Sequence, residues 1–169
     1  MVKNENKRLE KVILSIGSNL GDKLQNCRHA TEMLEESVGK ILKQSSYYES
    51  EAWGYESNNL FINCAVEVLT SLNPIELLKQ IKDIEEKLGR DKSVSNLYKD
   101  RIIDIDIIFY GNQVVITDFL KIPHILYRKR KFVILPMLEI VPEKIDPVDG
   151  KKIFQILQEC DDFITVKKF

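Results

Sequence analysis

The chain has 169 residues, 25 of them Lys or Arg and 26 Asp or Glu. That length supports one domain with a substantial core and not two of ordinary size, so residues 1–169 are taken as a single domain. The balance of charge argues against a general polyanion binder, which carries a basic excess.

The opening MVKNENKRLEK is polar and charged, unlike a signal peptide or membrane anchor, and no run approaches the roughly 18 apolar residues of a spanning helix. Cys27, Cys64 and Cys160 are odd in number and widely spaced among apolar neighbours. They read as small core residues of a reducing compartment, not as a disulfide or zinc framework. A soluble, cytoplasmic domain is expected.

Residues 12–16, VILSI, predict a short strand, ended by the turn-rich GSNLGD at 17–22. Leu24, Cys27, Thr31, Leu34 and Val38 then fall at three- and four-residue spacing and predict a helix that Gly39 stops. A second strand is expected within 41–49, followed by a long loop over 50–59, SEAWGYESNN. The stretch LFINCAVEVL at 60–69 alternates, with Ile62, Cys64, Val66 and Val68 on one face.

Asn73-Pro74-Ile75-Glu76 is a helix start, with Asn as the cap, Pro at the first helical position and Glu at the third. That helix should turn Leu78, Ile81, Ile84 and Leu88 inward and stop at Gly89. An irregular polar stretch, 90–100, leads into the strand RIIDIDII at 101–108, and YGNQ at 110–113 turns the chain toward a hairpin. In the tail, Pro123, Pro136, Pro142 and Pro147 are read as punctuation between short elements. The order β-α-β-β-α-β predicts an α+β, ferredoxin-like sandwich, an antiparallel sheet covered by helices on one face with long loops able to hold substrates.

The strand at 101–108 is unusual because Asp104 and Asp106 interrupt a branched aliphatic run. Alternation puts both on one face, about 7 Å apart along the strand, with Ile103, Ile105 and Ile107 on the other. Two bare charges at that distance repel by roughly 2 kcal/mol at an effective dielectric near 20, so a compensating cation is required. Taken alone, the pattern is also satisfied by a solvated acidic face neutralised by Arg101. The surroundings favour more: Arg90, Lys92, Lys99 and Arg101 precede it, and Arg128, Lys129, Arg130 and Lys131 lie in YRKRKF. Paired carboxylates between basic clusters suit a hard cation such as Mg²⁺ together with a polyphosphate. No P-loop or Rossmann glycine pattern occurs. On the strand at 60–69, Phe61 and Asn63 share a face, where an aromatic ring beside an amide can stack on a flat heterocycle and read its edge. Phe132 and Tyr98 could add aromatic surface, and His124 in IPHIL is one of only two histidines.

Together, LSIGSNLGD, FINCAV, RIIDIDIIFYG and IPH…RKF resemble the 6-hydroxymethyl-7,8-dihydropterin pyrophosphokinase family of folate biosynthesis, over about residues 11–158. The resemblance implies transfer of the β,γ-pyrophosphoryl group of ATP to the pterin hydroxymethyl oxygen, with release of AMP. It implies that Asp104 and Asp106 hold two Mg²⁺ ions and count, with Arg90 and Lys92, as the catalytic residues. Glu85, Arg90, Lys92, Arg101, His124 and Arg130 would contact ATP. Asn63 would read the pterin edge while Phe61 and Phe132 flank the ring, and the backbone of 50–53 would complete the pocket.

Two stretches depart from the family pattern. NLYKDR stands where many members have a basic residue followed by Trp-Gly-Pro-Arg, so that Tyr98 replaces the Trp and Lys99-Asp100 the Gly-Pro. SEAWG keeps a glycine but loses prolines, which brings Trp53 to the pterin pocket. The partners expected are ATP and the pterin, with no nucleic acid and no membrane. A monofunctional monomer is expected, with loops 50–59 and 90–100 closing over the bound substrates. The alternatives are a phosphotransferase for another heterocycle, and a ligand- or RNA-binding module without chemistry; the latter would not need both aspartates.

Overall fold

The structure, a computed structural model, describes residues 8–90 and 99–169. Alternating apolar residues build β1 (Glu10–Ser18), whose Val12, Leu14 and Ile16 are fully buried on one face. Asp22 caps α1 (Lys23–Ser37), its carboxylate accepting the Gln25 N–H at 3.1 Å. The single strand expected within 41–49 is two, β2 (Gly39–Gln44) and β3 (Tyr48–Ser50), both antiparallel to β4 (Phe61–Thr70). The break lies at Ser45. Its hydroxyl accepts the Ala65 N–H at 2.9 Å, taking the place of a backbone carbonyl in the ladder.

The predicted cap opens α2 (Pro74–Lys87): Asn73 accepts from the Ile75 and Glu76 amides, and the Glu76 carboxylate accepts the Asn73 N–H. The helix buries Leu77, Ile81 and Ile84 completely, while Leu78 and Leu88 pack partly buried beside them. The expected inward stripe begins at Leu78. Positions 77, 81, 84 and 88 follow the helical repeat more closely, so Leu77 takes that place.

The strand β5 (Asp104–Tyr110) pairs with β1, giving the antiparallel order β5-β1-β4-β3, with β2 beside β3 on the same edge of β4. This is the ferredoxin-like arrangement expected. A last short strand, β8 (Val166–Lys168), extends the sheet beyond β3. The turn at Gly111 does not return the chain along β5. Instead β6 (Val115–Ile116) and β7 (Lys121–Ile122) pair with each other, and the His124 N–H donates to the Ile108 carbonyl of β5 at 3.1 Å.

Helices α1 and α2 cover one face of the sheet, over Val12, Leu14, Ile16, Cys64, Val66 and Ile105. The other face is covered only at one end, by α3 (Lys131–Ile140) and α4 (Ile153–Glu159) packed on Ile13, Ala65, Ile108 and Phe109. An irregularity in the β1–β5 register between Ile13 and Leu14 lets the consecutive Ile108 and Phe109 both serve that layer. Pro136, read in the sequence as a break, lies inside α3. Burial of Val133, Ile134, Met137 and Ile140 outweighs the one hydrogen bond the proline forfeits.

Beyond Ile13 and Ala65 the second face turns polar and loses its helical cover. Gly17 sits opposite Asn63 and Asp104, and Ser15 opposite Ala65 and Asp106. Where α1 meets β2, a methyl group on Gly39 would fall 2.1 Å from the Leu69 carbonyl oxygen. Gly39→Ala is therefore expected to destabilise the protein by about 1–3 kcal/mol, read as a lower urea midpoint at unchanged slope. An unchanged midpoint would mean that β2 can slide along β4 without cost. Cys27 and Cys64 are buried and Cys160 half-buried, all three unpaired. Among the described residues no helix is long and apolar enough to cross a membrane.

Candidate active site

The uncovered polar half of the sheet floors a cavity of about 340 Å³. Asp104 and Asp106 point into it from β5, with 27% and 30% of their side chains exposed. Each is already matched by cations. Arg90 Nη1 lies 2.6 Å from Asp104 Oδ1 and Arg101 Nη1 3.1 Å from Oδ2, while Arg130 Nη1 stands 3.5 Å from Asp106 Oδ2. The two acids therefore differ. Burial works against charge on Asp104, yet Arg101 and Arg90 outweigh it and hold its carboxyl below the usual range. Burial and the charge of Asp104 push Asp106 up to about 6.

Behind the arginines stands Glu85, 1% exposed on the inner side of α2. Its carboxylate accepts the Ile105 N–H at 2.8 Å, Lys82 Nζ at 2.8 Å, and Arg90. Arg90 is thus bracketed between α2 and β5. His124 comes from the segment after β7. Its Nδ1 accepts the Leu126 N–H at 3.2 Å, which places the proton of the neutral ring on Nε2, toward the cavity. Burial and the nearby Arg130 lower its pKa to about 4, so it is neutral near pH 7 and its 3.8 Å approach to Asp106 is not an ion pair.

The opposite wall is aromatic. Arg130 lies 4.8 Å from the ring centre of Trp53 and 5.8 Å from that of Phe132. Its buried Nε has no hydrogen-bond partner among the described residues. Phe61 and Asn63 project from β4 at the cavity floor. Asn63 is no surface amide: it is 1% exposed and donates to Ser50 Oγ at 2.9 Å. Its Oδ1 lies beside Gly17, where a methyl group would come within 3.0 Å.

Of the residues singled out in the sequence, Trp53, Phe61, Asn63, Arg90, Arg101, Asp104, Asp106, His124, Arg130 and Phe132 all line this one cavity. Glu85 supports it from behind. Lys92 and Tyr98 lie outside the described residues. Of the basic residues in YRKRKF only Arg130 lines the cavity; Arg128 is held by Asp146 at 2.5 Å and Asp149 at 2.6 Å. Sequence reasoning missed Lys82 and Tyr55, which also line the cavity. The three-residue spacing of Lys82 and Glu85 on a helix was the available signal for the first; none marks Tyr55.

The cavity thus joins a carboxylate pair ringed by arginines to an aromatic wall with a buried amide. A family model described as 7,8-dihydro-6-hydroxymethylpterin-pyrophosphokinase (HPPK) matches residues 13–142. The chain belongs to the HPPK family. It is 41% identical over 148 residues to the 2-amino-4-hydroxy-6-hydroxymethyldihydropteridine pyrophosphokinase of Aquifex aeolicus, covering 88% of this chain and 91% of that one. It is 45% identical over 136 residues to a folic acid synthesis protein of Dictyostelium discoideum, covering 80% of this chain but 20% of that much longer one. Among solved structures, an HPPK-DHPS protein of Plasmodium falciparum superposes with a TM-score of 0.74 at 19% identity, over 92% of this chain and 45% of that one. At that identity the likeness speaks for the HPPK fold. The sequence relatives carry the family assignment.

Proposed function

We propose that this chain transfers the pyrophosphoryl group of ATP to the hydroxymethyl oxygen of 6-hydroxymethyl-7,8-dihydropterin, releasing AMP, as a step of folate biosynthesis. Membership of the HPPK family carries the reading. The cavity supports it by holding a polyphosphate-compatible side and a heterocycle-compatible side within one chain. On this reading the protein acts as a monomer in the cytoplasm.

The pterin hydroxyl oxygen attacks the β-phosphorus in line, its proton passing to solvent, while the bond from that phosphorus to the oxygen bridging to the α-phosphate breaks and AMP departs with the bond's electron pair. Arg90, Arg101 and Arg130 turn from the carboxylates to phosphate oxygens, with Glu85 keeping Arg90 at its post. Neutral His124 donates its Nε2 proton to an ATP oxygen. Asn63 presents Oδ1 to the pterin edge while Phe61 and Phe132 flank the ring and Trp53 closes the pocket. Lys92 on the ATP side and Tyr98 on the pterin side complete the set on this reading, and both lie outside the described residues. Catalysis is positioning and charge stabilisation without a covalent intermediate.

The donor set suits Mg²⁺. Two carboxylates converge, and no group of three or more His, Cys, Asp or Glu among the described residues is placed to hold an ion. That is the pattern for a cation that takes its remaining ligands from phosphate and water. Asp104 and Asp106 would hold two Mg²⁺ ions, which supply neutralisation of phosphate charge and acidification of the attacking hydroxyl.

The deciding experiment follows nucleotide products from ATP and Mg²⁺ with and without the pterin. AMP formed only when the pterin is present is expected. ADP in its place would mean transfer of a single phosphoryl group and would overturn the reading. Mg²⁺-independent binding of an ATP analogue without turnover would favour a binding module.

A further inference from the structure

Asp100 lies in the stretch where this sequence departs from the family pattern, one residue before Arg101. Its carboxylate gathers four side-chain donors from two other segments. Oδ1 accepts from Asn19 Nδ2 at 2.7 Å, Ser57 Oγ at 2.6 Å and Tyr55 Oη at 3.2 Å, and Oδ2 accepts from Asn59 Nδ2 at 2.6 Å. Asn19 is itself buried at 2% exposure and clamps the next residue: Arg101 N–H donates to Asn19 Oδ1 at 2.7 Å, and Asn19 N–H to the Arg101 carbonyl at 3.1 Å. The β1–α1 turn, the irregular 51–60 loop and the lead-in to β5 therefore meet at one carboxylate.

We propose that Asp100 is a positioning residue that ties the loop bearing Trp53 and Tyr55 to the strand lead-in bearing Arg101, so that the heterocycle wall and the phosphate side of the cavity are set by one knot. Hydrogen bonds to a charged acceptor are the strong ones. Those here, that from Ser57 foremost, hold the Asp100 carboxyl below its usual range even though burial opposes them. The knot touches none of the reacting atoms. It acts through Trp53 and Tyr55, which line the cavity, and through Arg101, which reaches Asp104 at 3.1 Å. The loop has no helix or strand of its own, and the tether fixes its backbone while Arg130 lies over the Trp53 ring at 4.8 Å, so loss of the tether should be felt first in pterin binding.

The test uses Asp100→Ala and Asp100→Asn, and the chain's single tryptophan, Trp53, as reporter. In the ligand-free protein, Asp100→Ala is expected to make Trp53 fluorescence more accessible to acrylamide while the unfolding midpoint stays near that of wild type. KM for the pterin should rise about tenfold, with a smaller effect on kcat and on KM for ATP. Asp100→Asn keeps an oxygen for Asn19, Tyr55 and Ser57 and loses only the Asn59 bond, so it should recover most of both effects. Wild-type quenching and pterin KM in Asp100→Ala would overturn the tether. So would a uniform loss in both substrates and in stability that Asp100→Asn does not relieve, since that is a general folding role. The kinetic arm rests on the pyrophosphokinase reading. If the wild type forms no AMP with the pterin, that reading falls and the ligand-free quenching comparison still decides the tether.

Discussion

Asp104→Ala is expected to lower pterin-dependent AMP release by about a thousandfold, with the fold intact. The substitution removes one of the two carboxylates able to hold Mg²⁺, and it also removes the group that gathers Arg90 and Arg101, at 2.6 Å and 3.1 Å. Those arginines would then face each other across the cavity with no acid between them, at the position proposed for the phosphates. Stability should fall only modestly, because loss of the Arg90 and Arg101 contacts is offset by relief of the repulsion that helps to push Asp106 up to about 6. The AMP assay measures the first claim, and urea unfolding, at a midpoint slightly below wild type, the second. Activity within tenfold of wild type would remove Asp104 from the proposed metal site.

Glu85→Ala should show the opposite balance. Glu85 is 1% exposed and fastens α2 to β5 through the Ile105 N–H at 2.8 Å, while its other contacts hold Lys82 and Arg90. Truncation leaves a buried backbone amide without its acceptor and a half-buried guanidinium with one carboxylate in place of two. A loss of about 3 kcal/mol is expected, appearing as a lower urea midpoint, together with a rise in KM for ATP as Arg90 loses its bracket. Glu85→Gln keeps the shape and an oxygen for Ile105, so it should recover a large part of the stability and less of the ATP affinity. An unchanged midpoint in Glu85→Ala would show that the α2–β5 contact is carried by Ile81, Ile84 and Ile105 alone.

Glu85 also marks a limit of reading by pattern. A glutamate in an amphipathic helix is ordinarily assigned to the wet face, and its inclusion at the site, as an ATP contact, followed only from the family resemblance. What buries it is the Ile105 amide that β5 brings, twenty residues away, together with Arg90, five residues on and just past the end of α2. Arg128 and Arg130 make the same point. They are alike in type and two residues apart, yet the first binds Asp146 and Asp149 while the second enters the cavity.

The sequence by itself determined those features whose causes are local. The Asn73-Pro74-Glu76 helix start, the alternation that puts Ile62, Cys64, Val66 and Val68 on one face, and the shared face of Asp104 and Asp106 all follow from the geometry of a single turn or a single strand. From their order came the ferredoxin-like sheet, and from the motifs the family. Only the tertiary structure decided the rest: a helix continuing through Pro136, the strand divided at Ser45, β6 turning to β7 in preference to β5, and the four donors meeting at Asp100. Each of these depends on which distant surface is free to supply burial or a hydrogen-bond partner. A proline's lost bond, a serine's acceptor or an aspartate's charge is settled by those long-range contacts, to which local periodicity carries no reference.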